Sequence, residues 1–187
     1  MSKFTDAVIA AAQLSQKTWG VPASVSLAQY AIESAYGTRM PPNSFNCFGI
    51  KARDGQDFVT AKTREVVGGK SVYIQAKFRK FSSFDEAFDE HAKLLATKSI
   101  YADAMTAWKD KNDLALGIHL MARKYATDPT YAATLLSLIK GQNLAQYDHG
   151  QPVAPATPAP SPEPPKPVNW LTALIELVLN IIKALRK

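Results

Sequence analysis

The segment SLAQYAIESAYG, residues 26–37, carries the strongest structural signal in this sequence. Its small and apolar residues recur at helical spacing, which predicts a helix with one side facing a core. The core-facing positions are Ala28, Ala31, Ile32 and Ala35. Ser26, Gln29 and Glu33 fall on the opposite side, and Gly37 is placed to end the helix.

The position of Glu33 favours a carboxyl group that holds a proton. It falls in the last turn of the predicted helix, where the helix dipole is negative and an ionised carboxylate is destabilised. On residue type alone, a glutamate is most often an exposed surface charge. The segments on either side of this helix decide between the two interpretations.

Helices and one hairpin are predicted around this segment. Two β-rich runs, 58–67 and 72–81, flank Gly68-Gly69 and predict an antiparallel hairpin. The sequence from Ser83 to Glu86 predicts a capping box at the start of a helix. Helices are predicted over the ranges 1–20, 24–36, 83–95, 103–108, 113–124 and 128–141. The last of these is expected to begin at Asp128, with Pro129 at its first position.

Composition divides the 187 residues into three parts. Residues 1–150 predict one mainly α (α+β) domain with an inserted β-hairpin lobe. Residues 151–168 are rich in proline and predict an extended linker, with a motif for a proline-binding domain as the alternative. Residues 169–187 predict an amphipathic helix.

The C-terminal helix is predicted to lie at a membrane interface. Its apolar stretch, 170–185, is shorter than the roughly 20 residues that a membrane span needs. An aromatic residue begins this helix and basic residues end it, a pattern typical of interfacial helices. The residues expected to contact the membrane are Trp170, Lys183, Arg186 and Lys187. The alternative is a helix that packs on the domain or associates with itself.

The net charge of +6 suits an anionic partner, such as an acidic cell-wall polymer or anionic lipid. No basic run with interleaved aromatic residues is present, so no nucleic-acid partner is expected. Cys47 is the only cysteine, and the three histidines lack the spacing of metal ligands. We therefore expect no metal and no cofactor. Residues 1–20 do not match a signal peptide, so we expect synthesis in the host cytoplasm and action in the periplasm or cell wall.

A second candidate carboxylate, Glu65, lies in the predicted hairpin, within TREVVGG at 63–69. An acid on a helix followed by a small β lobe suits polysaccharide cleavage, which needs an open groove and a group that protonates the leaving oxygen. The alternative for Glu65 is a cross-strand pair with Lys70 or Lys77.

Five segments in order resemble the bacterial and phage N-acetylglucosaminidases of glycoside hydrolase family 73. They cover most of residues 1–147 and read SLAQYAIESAYG, FNCFGIKA, TREVVGG, FRKFSSFDEAFDEHAKLL and KYATDPTYAATLLSLI. The resemblance implies a lysozyme-like two-lobed fold. It also implies hydrolysis of the β-1,4 bond after N-acetylglucosamine in bacterial peptidoglycan.

The same resemblance assigns roles to single residues. Glu33 matches the general acid, Glu65 the second carboxylate and Tyr125 a tyrosine that lines the site. Three further residues match the substrate-binding segments: Asn46, Phe48 and, less closely, Tyr131. Cys47 stands where the family carries an apolar residue, a change that a thiol tolerates because it packs as a small hydrophobe.

Mechanism and specificity stay open at this point. Either Glu65 activates a water and the reaction inverts, or the 2-acetamido group of the sugar attacks the anomeric carbon while Tyr125 or Glu65 stabilises the charge. The alternative activity is that of an N-acetylmuramidase on the same polymer. A further alternative is a wall-binding module that carries a membrane-active tail. A proline-rich tether to a cationic helix suits a phage endolysin that must disturb a Gram-negative outer membrane.

Overall fold

The computed structural model describes residues 3–67 and 70–148. Within them, six helices and two strands follow one another along the chain. They are α1 (Asp6–Trp19), α2 (Ala23–Ser34), β1 (Phe58–Val67), β2 (Lys70–Arg79), α3 (Phe84–Thr97), α4 (Ala102–Lys109), α5 (Leu114–Tyr125) and α6 (Tyr131–Gly141). This mainly α architecture with a small hairpin confirms the predicted fold class. The Gly68-Gly69 turn, the proline-rich linker and the C-terminal helix lie outside the described residues.

Helix α2 is the central element of the helical lobe, in contact with α1 on one side and α6 on another. The sequence predicted one core-facing side, but the structure buries both. Ser26 and Gln29, placed on the opposite side, are fully buried, whereas Ile32, placed on the core side, is only half-buried. A helix that is small or apolar on most of its surface can be enclosed on all sides, and the polar residues then lie inside the protein.

The end of α2 differs from the prediction. The helix ends at Ser34, and Ala35 and Tyr36 take the left-handed conformation instead of Gly37 alone. The hydroxyl of Ser34 explains the early stop, because it donates to the carbonyl of Tyr30 at 2.6 Å and accepts from the N–H of Gly37 at 2.8 Å. The bond between Ser34 and Gly37 closes a turn directly after Glu33.

The start of α2 is completed by the end of the domain. Pro22 at the N-cap has no side chain that can accept a hydrogen bond. The carboxylate of Asp148 accepts from the backbone N–H and from the hydroxyl of Ser24, both at 2.7 Å. A carboxylate at a helix N-terminus is favoured by the helix dipole. The last described residue therefore fastens the chain back onto the helix that carries Glu33.

The two strands form the predicted antiparallel hairpin, from the pair Phe58 and Arg79 to the pair Val67 and Lys70. In this register Glu65 stands opposite Val72. Neither lysine named in the cross-strand alternative lies directly opposite it.

The base of the hairpin is fastened to α3 by ion pairs. Arg79, at the end of β2, contacts Glu86 at 3.2 Å and Glu90 at 2.9 Å. The predicted capping box forms on one side only, with Ser83 accepting from the N–H of Glu86 at 3.2 Å. The Glu86 carboxylate bonds Ser82 instead of the backbone N–H of Ser83. The base of the hairpin is thus joined to the helical lobe.

The last helix begins later than predicted. Helix α6 starts at Tyr131 instead of Asp128. The Asp128 carboxylate accepts from the N–H and hydroxyl of Thr130, at 2.8 and 2.7 Å, and so closes a turn in front of the helix. This later start places Tyr131 in the first turn of α6, beside α2.

Helix α5 begins close to its predicted start. Asp113 caps it by accepting from the N–H of Leu116 at 2.9 Å.

Candidate active site

Glu33 lies in the last turn of α2, where it is 7% exposed and lines a cleft. Burial raises the pKa of its carboxyl group from 4.5 to about 7, because the charged form loses its hydration. A hydrogen bond from Tyr131 lowers the pKa but does not outweigh the burial. The position at the C-terminal end of a helix acts in the same direction as burial. Glu33 therefore holds a proton up to near-neutral pH.

Tyr131 is the residue that contacts this carboxyl group directly. Its hydroxyl donates to Oε1 of Glu33 at 2.8 Å and accepts from Nε2 of Gln29 at 3.1 Å. The pKa of Tyr131 is raised well above its usual value, first by burial and then by the nearby Glu33, so the hydroxyl stays neutral. The sequence matched Tyr131 least closely, yet the structure places it against the acid.

Tyr125 lies behind Tyr131. The two rings are stacked with centroids 5.7 Å apart and planes 9° from parallel. Tyr125 is buried, and it does not line the cleft that Glu33 opens into. Its ring packs against that of Tyr131, and the nearby Glu33 is, after burial, a cause of the raised pKa of Tyr125.

The cleft has a volume of about 170 Å³ and lies between the end of α2 and the hairpin. One wall comes from the loop after α2 and the other from both strands. The residues along it are Glu33, Arg39, Met40, Pro41, Pro42, Asn46, Gly49, Ala61, Lys62, Thr63 and Phe78. Arg39 and Lys62 bring positive charge to a cleft whose acid is neutral below pH 7.

Asn46 fastens one wall of the cleft. Its Nδ2 donates to the carbonyl oxygens of Ile50 at 2.7 Å and Arg79 at 2.8 Å, and its Oδ1 accepts from the N–H of Ile50 at 2.9 Å. These three bonds join the loop to the end of β2. Asn46 does line the cleft, but its amide is engaged in holding the wall.

Phe48 lies in the core, 1% exposed, instead of at the surface of the cleft. Its ring stacks on the imidazole of His91 at 3.9 Å and meets Phe88 edge-on at 4.9 Å. The predicted substrate contact is therefore corrected to packing. Cys47 beside it is also buried, as expected for a small hydrophobe, and burial raises the pKa of its thiol.

Comparison with known proteins identifies this arrangement. A family model for glucosaminidases, described as mannosyl-glycoprotein endo-beta-N-acetylglucosaminidase, matches residues 9–144. The chain belongs to this glucosaminidase family. The match confirms the predicted membership of glycoside hydrolase family 73, and it includes the whole of α2, the hairpin and α6.

Relatives of the glucosaminidase domain occur in several bacteria. Exo-glucosaminidase LytG of Bacillus subtilis is 33% identical over 155 residues, which are 80% of this chain and 54% of LytG. Peptidoglycan hydrolase FlgJ of Salmonella typhimurium is 35% identical over 136 residues, 69% of this chain and 42% of FlgJ. The "Probable N-acetylmuramidase" of Lactococcus lactis is 32% identical over 152 residues, 78% of this chain and 34% of that protein. The chain thus spans about half or less of the length of these curated relatives.

Solved structures share the glucosaminidase fold. The catalytic domain of the autolysin Auto from Listeria monocytogenes superposes with a TM-score of 0.67 at 33% identity, over 75% of this chain and 83% of that one. The C-terminally truncated glycoside hydrolase domain of Salmonella typhimurium FlgJ gives 0.60 at 33% identity, over 74% and 94%.

The second carboxylate of the glucosaminidase site stays a prediction. The backbone of Glu65 is in β1, two residues beyond Thr63, which lines the cleft. Its side chain is outside what the structure describes, as are the four tail residues expected to contact a membrane: Trp170, Lys183, Arg186 and Lys187.

Gln29 and Arg39 are site residues that sequence reasoning did not single out. Gln29 was placed on the same side of α2 as Glu33, and this spacing of four residues was the signal for it. Arg39 follows the helix within a loop that carries no local pattern. Among residues 3–67 and 70–148, no group of three or more metal-ligating side chains gathers, and no helix has the length and apolar character to cross a membrane.

Proposed function

We propose that this chain hydrolyses β-1,4 glycosidic bonds of bacterial peptidoglycan, as an endo-β-N-acetylglucosaminidase. The observation that carries the proposal is the buried carboxyl group of Glu33, which opens into a cleft between two lobes and has a pKa of about 7. Glycoside hydrolysis needs such a group, still protonated at the working pH, beside the scissile bond. The family description and the relatives named as peptidoglycan hydrolases support the substrate.

The reaction then begins with proton transfer from Glu33. As the glycosidic C–O bond breaks, the Glu33 O–H bond breaks too, and the proton goes to the leaving sugar oxygen. The hydroxyl of Tyr131 bonds the carboxylate that remains, and this bond stabilises the developing charge. Water completes the reaction at the anomeric carbon, activated by Glu65 or after attack by the 2-acetamido group.

Substitution of the acid tests the proposal. Glu33→Gln keeps the shape and the bond from Tyr131 but supplies no proton, so we expect turnover of purified peptidoglycan to fall by about 10²–10⁴-fold. The melting temperature at pH 4 is expected to stay close to that of the unchanged protein, because Glu33 is then mostly protonated in both the folded and the unfolded state. A variant with full activity would refute the assignment of the acid.

Bond specificity is decided by the products. Reducing-end N-acetylglucosamine, measured by mass spectrometry, supports a glucosaminidase, and reducing-end N-acetylmuramic acid shows the alternative activity. The second candidate is kept because one relative is named an N-acetylmuramidase. An endo-acting enzyme releases fragments of mixed length from the start of the digestion, whereas an exo-acting one releases small products only.

A role for residues 169–187 at an anionic membrane is a separate part of the proposal, as is action in the periplasm or cell wall. The support is the sequence pattern, with Trp170 at one end and Lys183, Arg186 and Lys187 at the other. Basic residues near an anionic surface contribute about 1 kcal/mol each.

A further inference from the structure

Gln29 is a fully buried amide one turn before Glu33 on α2. Its Nε2 donates to the hydroxyl of Tyr131 at 3.1 Å and contacts Sδ of Met121 at 3.8 Å. Tyr131 in turn donates to Oε1 of Glu33 at 2.8 Å. These groups form a hydrogen-bonded chain that leads from the core to the acid. The reaction described above gives Gln29, the first residue of this chain, no role.

The orientation of the amide determines the direction of this chain. In the structure Nε2 donates to Tyr131, and Oε1 is buried without a hydrogen-bond partner among the described residues. The sulfur of Met121 is only a weak acceptor for the second amide hydrogen. The reverse orientation would turn the carbonyl oxygen toward Tyr131 and bury both amide hydrogens without this acceptor. A tyrosine hydroxyl has one hydrogen to donate. Since its oxygen accepts from Gln29, that hydrogen is directed to Glu33.

The direction of the bond assigns separate tasks to the two oxygens of Glu33. Oε1 accepts from Tyr131, so the acid proton of the neutral carboxyl group belongs on Oε2, the oxygen not bonded to Tyr131. Without the amide, the hydroxyl can turn and accept a hydrogen bond from neutral Glu33. The acid proton would then be held inside the domain, away from the leaving oxygen.

We propose, building on the glycosidase function above, that Gln29 is a positioning residue that fixes the direction of the Tyr131–Glu33 hydrogen bond and keeps the acid proton available to the cleft. It acts through Tyr131 and does not touch substrate. The other titratable or charged groups near Glu33 in the described residues are Tyr125 behind Tyr131, and Arg39 and Lys62 along the cleft. All of these are unchanged in the variants below.

The test compares Gln29→Met with Met121→Leu as the matched control. Gln29→Met removes the donor at similar volume, whereas Met121→Leu removes only the sulfur contact and leaves the bond to Tyr131. Two quantities are measured: the pH profile of kcat on purified peptidoglycan, and the titration of the Glu33 carboxyl carbon by NMR in the absence of substrate.

For Gln29→Met we expect the Glu33 titration to move upward by roughly one pH unit, because the neutral acid gains a hydrogen bond to Tyr131. The alkaline limb of kcat moves with it. At the optimum, kcat falls about tenfold, the cost of breaking that bond before proton transfer, while KM stays the same. Met121→Leu leaves both quantities unchanged.

The coupling between Gln29 and Tyr131 is then tested with Tyr131→Phe, which removes the hydroxyl through which Gln29 acts. In that background Gln29→Met should cause no further shift of the Glu33 titration. If Glu33 in the single variant Gln29→Met titrates as it does in the unchanged protein, the proposal is overturned. An equal shift with and without the hydroxyl also overturns it, since the effect would then be one of packing.

Two outcomes keep this inference separate from the proposed function. If the unchanged protein does not hydrolyse peptidoglycan, the proposed function fails, and the substrate-free titration still decides the role of Gln29. If Gln29→Met does not fold, neutron diffraction from the unchanged protein decides it instead. A Tyr131 deuteron directed to Glu33 supports the proposal, and one directed to the carbonyl oxygen of Gln29 overturns it.

Discussion

Replacing Glu33 by glutamine should make the protein more stable at alkaline pH. In the folded state burial raises the pKa of Glu33 from 4.5 to about 7. The folded state therefore binds this proton more tightly, and the stability it contributes is fully present below pH 4.5 and lost as the pH rises through about 7. At about 1.36 kcal/mol per pH unit, the loss at pH 8 is ~3 kcal/mol.

Glu33→Gln has no ionised form, so it avoids this loss and keeps an oxygen that accepts from Tyr131. We expect the free energy of unfolding of the variant to match that of the unchanged protein at pH 4 and to exceed it by ~3 kcal/mol at pH 8. Urea denaturation at one-unit intervals from pH 4 to 8 measures the difference.

A second glutamate provides the control with the opposite sign. The hydrogen bonds of Ser82 to the carboxylate, followed by the charge of Arg79, lower the pKa of Glu86. Glu86→Gln should therefore lose stability relative to the unchanged protein as the pH rises from acid to neutral. If the stability difference for Glu33→Gln is constant from pH 4 to 8, Glu33 ionises normally and is not the buried acid described here.

Two further predictions concern parts of the chain outside the described side chains. Glu65→Gln should reduce turnover on purified peptidoglycan more than it reduces binding to insoluble wall; unchanged turnover would favour assistance by the 2-acetamido group. Deleting residues 168–187 should leave cleavage of purified peptidoglycan intact but weaken binding to anionic vesicles, as sedimentation measures. Added salt should weaken vesicle binding by the full chain, because it screens the basic residues. Vesicle binding that survives the deletion would refute the membrane role.

Elements with local signals were predictable from the sequence. Gly20, in the left-handed conformation, ends α1 where the predicted range ended, Asp113 caps α5 where the predicted range began, and the glycine pair lies between the two predicted strands. Each of these signals acts within a few residues, so its effect is the same wherever the element packs. The errors at the end of α2 and the start of α6 have side-chain causes, since Ser34 and Asp128 each close a turn.

The candidate site was predictable as a set of residues but not as an arrangement. Family resemblance assigned Phe48 to the groove and Tyr125 to the lining of the site; the structure buries both rings, Phe48 against His91 and Tyr125 against Tyr131 beside the acid. Neither residue type nor spacing could reveal this, because aromatic residues near a groove and aromatic residues behind it follow the same pattern. Burial depends on which helices cover them.

The contact that matters most joins residues far apart in the sequence. Tyr131 and Glu33 are 98 positions apart, and Gln29 and Tyr131 are 102 apart. They meet because α6 begins beside the last turns of α2, while Asp148 bonds the first turn of the same helix. Helix α2 is thus fixed at one end by the terminus of the domain and at the other by the tyrosine that contacts its acid. A change that loosens either end should act on the Glu33 carboxyl group, because its burial and its hydrogen bond from Tyr131 both depend on where α2 lies.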